Sequence, residues 1–151
     1  MRIALDGIAT GADLDDLQSR LEPLHPQHDT FPGEVLLGLA ADAIEEAGAS
    51  RAQPIEFERI RERYLPECGS LTKAQHRKSK YAIRAAAMIR AGVDPGLLDE
   101  VGWWRTDDLW IWALDALVVY LRVAAERSGD PIGVVCERLA ARHDMKLSAS
   151  N

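Results

Sequence analysis

Asp115 is the single charged residue in the thirteen-residue run Leu109–Leu121, whose other twelve members count as apolar. A carboxylate among Ile111, Trp112, Val118 and Val119 is costly to bury unless it is paired or protonated. Arg122, the nearest base on the same helix, lies about 10 Å further along the axis. The nearest concentrated supply of positive charge is the segment 73–84, so the expected buried pair is Asp115 with Lys80 or Arg84. The same segment offers a second kind of chemistry. Lys73, His76, Arg77, Lys80 and Arg84 fall within an arc of about 100° on a helical wheel, a basic stripe roughly 16 Å long. Such a stripe either tracks phosphates or neutralises acidic segments of its own chain.

Charge is unevenly distributed. Residues 1–67 carry a net charge of −8, residues 68–93 carry +6 with no acid, and residues 94–151 carry −4, for a total of −6. An acidic protein repels polyanions at long range, and no aromatic residue is expected on the stripe. The favoured reading is therefore internal neutralisation, and nucleic acid is the alternative partner. A helix-turn-helix across Ala125, Gly129 and Val135, with Arg138, Arg142 and Lys146 facing DNA, is a second form of that alternative.

The remaining candidates are weak. His25 and His28, with Asp29 in "HPQHD", form a metal corner with no further ligand of metal-site spacing, and a proline-rich loop is the plainer reading. Cys68 and Cys136 stand far apart without CxxC spacing, which fits a reducing cytoplasm and no zinc site. Cys136 sits on an apolar stripe and is expected to be an inert thiol. No Ser-His-Asp set, phosphate loop, HExxH or paired-carboxylate arrangement can be assembled. The residues thus point to no catalytic site, no metal and no cofactor.

The elements that must position these residues are helices. At 151 residues, with 47% apolar and 28% charged side chains, the chain has the composition of one globular domain. Arginine outnumbers lysine 14 to 4, as in proteins of GC-rich bacterial genomes. No signal peptide is expected, because Asp6 interrupts the N-terminus before an apolar stretch develops. Residues 1–32 are expected to be loosely structured, with "RIALDGIA" a short strand, "DLDDLQSRLEPL" a short helix and a proline-rich loop after it. Helices follow at 32–47, at 54–65 with a solvated charged face, and at 73–91. The last of these begins at a Thr72–Gln75 capping box, stops at Gly92 and places Ala74, Tyr81, Ala82, Ala85, Met88 and Ile89 on its core side. "DPGLLDEVG" reads as a short helix, and Thr106 as the cap of a long helix ending at Gly129. A final amphipathic helix carries Ile132, Val135, Cys136, Leu139, Ala140 and His143 on one stripe. The tail 146–151 is expected to be frayed.

The expected fold is thus all-α, a compact bundle of five or six helices around a central apolar helix at about 106–128. Too short to span a bilayer, that helix is read as core. All four tryptophans lie at its start or just before it, and Trp103, Trp104 and Trp110 are the interface candidates because tryptophan anchors many contacts. The functional expectation is a small cytoplasmic protein acting through protein–protein contacts, with a homodimer as one form of them and no membrane partner.

Overall fold

The computed structural model describes residues 2–23, 32–48, 54–94 and 109–143. Seven α-helices appear among them: α1 (Arg2–Ala9), α2 (Leu14–Leu21), α3 (Pro32–Glu46), α4 (Pro54–Tyr64), α5 (Lys73–Arg90), α6 (Leu109–Ser128) and α7 (Ile132–Arg142). A short 3₁₀ turn at Pro66–Cys68 joins α4 to α5. No strand occurs among the described residues. The short helix read at 94–102, the Thr106 cap, the loop "HPQHD" and the tail 146–151 lie outside the described residues.

The centre of the bundle is a pair of helices. α6 is buried on every side from Trp112 to Leu121, as its nearly continuous apolar sequence requires. Its most extensive partner is α3. There Leu36, Leu37, Leu39, Ala40, Ala41, Ala43 and Ile44 are all buried, more than one face of the helix. The alanines keep this surface low, so neighbouring helix axes can approach closely. α5 packs against both α3 and α6 through Ser79, Ala82, Ile83, Ala85 and Ala86. α7 packs on α1 and α6, burying Val135, Cys136, Leu139 and Ala140.

Two local readings hold in detail. Thr72 and Gln75 form the capping box of α5: the Gln75 amide donates to Thr72 Oγ1 at 3.2 Å and the Thr72 amide donates to Gln75 Oε1 at 2.9 Å. α5 then ends at Gly92, whose φ of 96° suits a residue without a Cβ.

The N-terminus departs from expectation. Residues 2–9 form a helix rather than a strand, while α2 falls within the short helix expected at "DLDDLQSRLEPL". Ala4, Leu5 and Ile8 are buried on helical spacing, and α1 rests on α7 and α2. Asp13 caps α2 by accepting the Asp16 amide at 2.8 Å. Tertiary contact, rather than the propensity of an eight-residue segment, decides the state of α1.

Cross-element ion pairs tie the outer helices together. Arg138 reaches Asp130 at 2.6 Å and Glu46 at 3.5 Å, and Arg142 reaches Glu46 at 2.9 Å and Glu45 at 3.4 Å, joining α7 to α3. His143 pairs with Asp42 of α3. On the other side Arg63 and Tyr64 of α4 both engage Glu126 of α6. Arg127 donates to the Ala47 carbonyl at 2.6 Å, beneath Gly48, where a Cβ would collide with the guanidinium.

Candidate functional site

α4 and α6 cross where the one buried ion pair among the described residues is found. Arg61 Nε donates to both carboxylate oxygens of Asp115, at 3.1 and 3.0 Å, and Arg61 Nη1 points to the Gly69 carbonyl at 3.4 Å. Arg61 is 5% exposed and Asp115 1%. Burial pushes the Asp115 carboxyl up to about 6, and the adjacent guanidinium pulls it back only in part. The expected partners were Lys80 and Arg84, and the structure corrects this. Both project from the opposite side of α5 and are exposed, so neither can reach the buried carboxylate.

Arg61 has a signal in the sequence. Phe57, Arg61 and Leu65 stand at i, i+4 and i+8 and share one helix face, and Phe57 and Leu65 are both 1% exposed. The base therefore stands within α4's own apolar stripe rather than on its solvated face.

The pair forms the floor of an open cleft of about 700 Å³. One wall comes from the start of α2, with Asp13, Leu14, Asp15 and Gln18. The other comes from the 3₁₀ turn and the start of α5, with Cys68, Leu71, Ala74, Gln75 and Lys78. Ile111 and Trp112 of α6 complete the floor beside Asp115. Trp112 is buried, and its indole Nε1–H has no hydrogen-bond partner.

The second candidate surface is the outward ridge of α5. The buried face of this helix is formed by Ser79, Ala82, Ile83, Ala85 and Ala86. Diametrically opposite, at 100° per residue, stand Lys73, Arg77, Lys80 and Arg84, all exposed. Among the described residues none of these four forms an ion pair. His76, the fifth member of the stripe, does pair, with Glu58 of α4 at 2.6 Å. Among the described residues, then, His76 alone of the stripe meets one of the chain's own acids, and the other four members are exposed. Tyr81 and Met88 are also displaced from their expected place in the core: they border the ridge at 45% and 40% exposure.

Of the tryptophan candidates, Trp110 is 4% exposed and belongs to the core. Trp103 and Trp104 lie outside the described residues. Of the residues read as facing DNA in a helix-turn-helix, Arg138 and Arg142 pair with Asp130, Glu45 and Glu46, and Lys146 lies outside the described residues. Cys136 is fully buried, and burial pushes its thiol up to about 12. No described helix is long and apolar enough to cross a membrane. Comparison of the chain with protein-family models, with curated proteins and with solved structures finds no match.

Proposed function

We propose that the chain is a cytoplasmic binding module that acts through protein–protein contacts, with the α5 ridge as its working surface and an acidic protein face as its partner. One observation carries this reading. Lys73, Arg77, Lys80 and Arg84 stand in a row with no ion pair among the described residues, whereas Arg61, Arg63, Arg138 and Arg142 are all spent on cross-element contacts. A helix face that concentrates four like charges repels itself, and an acidic counter-surface relieves that repulsion while steering encounter. Tyr81 and Met88 beside the ridge supply apolar contact area of the kind that anchors protein interfaces.

Nucleic acid is the second reading, and the spacing of the four cations along roughly 16 Å favours it as a phosphate track. The total charge of −6 weighs against it.

Site-specific photocrosslinking in host cells separates the two. A photoreactive residue at Arg77 is expected to give a protein adduct that the same group at Ser19, exposed on α2, does not give. An adduct to nucleic acid at Arg77, or the same adducts from both positions, contradicts the proposal.

A further inference from the structure

The outward face of α5 carries a heptad pattern. Ala74, Arg77, Tyr81, Arg84 and Met88 stand at i, i+3, i+7, i+10 and i+14, the spacing by which one helix meets another along a seam. All five are exposed, so Ala74 joins Tyr81 and Met88 in leaving its expected place in the core. Apolar side chains alternate with arginines along this line, and Lys73 and Lys80 flank it on one side. At 100° per residue the whole set lies within about 120°, roughly opposite the buried face of the helix. From Ala74 to Met88 the seam is about 21 Å long.

The pattern specifies a counterpart. A facing helix that crosses α5 at about 20° in a left-handed supercoil stays in register with such a seam. It presents apolar side chains to Ala74, Tyr81 and Met88, and carboxylates to the arginines, whose planar forks hold them through paired N–H donors. The arginine stems cover the apolar surface between. Two copies of α5 set face to face bring four cations against four, so the counterpart is not the same surface of a second copy. A phosphate track uses the cations alone and leaves the alternating apolar positions without a role.

We propose that the α5 ridge docks a single amphipathic helix of another protein, one whose Asp or Glu residues alternate with apolar ones at the same heptad spacing. This names the form of the acidic partner, and so rests on the reading of the ridge as a protein-docking surface. Two heptads of one helix pair make a small interface, so micromolar affinity is expected.

The test is fluorescence anisotropy of the full chain against labelled peptides three heptads long, with NMR to locate the contact. The first peptide carries Leu at a, Glu at d, e and g, and a hydrocarbon staple on its far face. The second is a stapled shuffle of the same residues without heptad order, and the third has prolines at its centre in place of the staple. The first is expected to bind saturably and to shift the amides of Arg77, Tyr81, Arg84 and Met88. The other two are expected to bind roughly tenfold or more weakly. Arg77→Gln combined with Arg84→Gln should weaken the first peptide by a similar factor, and Tyr81→Ser combined with Met88→Ser several-fold. Arg59→Gln, exposed on α4, should leave it unchanged. Equal binding of the heptad and shuffled peptides overturns the helical partner and leaves the acidic one standing. Absence of saturable binding by the first peptide also overturns it, and a protein adduct at Arg77 in host cells then preserves the broader reading. Tighter binding of a random-sequence duplex DNA at the same amides overturns both.

Discussion

Arg61 and Asp115, 54 residues apart in sequence, meet through a single guanidinium N–H shared by both carboxylate oxygens. This contact fixes α4 across α6 and places a charge pair where all other nearby α6 side chains are apolar. Breaking one side of it strands a buried charge. Asp115→Ala is expected to cost about 3–5 kcal/mol by denaturant unfolding at neutral pH. Replacing both residues with apolar ones of similar volume should recover most of that loss. A double-mutant cycle between Arg61 and Asp115 should show strong coupling, and cycles of Asp115 with Lys80 or Arg84 should show none.

Protonation of Asp115 gives a second prediction. Its folded carboxyl is raised to about 6 from 3.8, so the native state takes up a proton before the unfolded chain does. Between pH 6 and pH 4 this group's contribution to stability therefore grows as pH falls, the reverse of an exposed ion-paired carboxylate. Relative to Asp115→Asn, wild-type protein should gain up to about 3 kcal/mol across that interval. Unfolding free energies of both proteins at several pH values measure the difference; parallel curves would show that the carboxyl titrates normally.

The buried α3–α6 pair makes a packing prediction. Leu117, fully buried in α6, should lose about 2–5 kcal/mol on truncation to alanine, because the bundle can only partly close over the cavity. Met88→Ala, on the exposed border of the ridge, should stay within about 0.5 kcal/mol of wild type. Equal losses at the two positions would contradict the arrangement of α5 and α6.

The two thiols should differ in reactivity. Cys68 is exposed on the 3₁₀ turn and Cys136 is fully buried with its thiol pushed up to about 12. A chromogenic disulfide reagent should therefore titrate one thiol in the native protein and a second only on unfolding.

What was legible in the sequence was local. The Thr72–Gln75 box, the glycine stops after α5 and α6, and the apolar run of α6 each follow from a few adjacent residues. The readings that failed needed a third dimension. α1 is too short to declare itself, and its helical state comes from packing on α7 and α2. On α5 the alanine-rich sequence leaves little contrast around the wheel, so its pattern does not distinguish the exposed Tyr81 and Met88 from the buried Ser79 and Ile83. Small residues face the core there because α5 must approach α3 and α6 closely, a demand set by the neighbours rather than by α5 itself. Arg61 had a signal in its i±4 neighbours Phe57 and Leu65, masked by the charged residues around it.

The central claim, that the α5 ridge is the docking surface for an acidic protein, is tested most directly by comparative affinity purification from host cells. The bait is wild-type chain, a variant with Lys73, Arg77, Lys80 and Arg84 changed to Glu, and a control with Arg2, Arg20 and Arg59 changed to Glu; nuclease is included throughout. The account predicts an acidic protein retained by wild type and control, lost from the ridge variant and unaffected by nuclease. Identical protein sets on all three baits, or retention that disappears with nuclease, would contradict it.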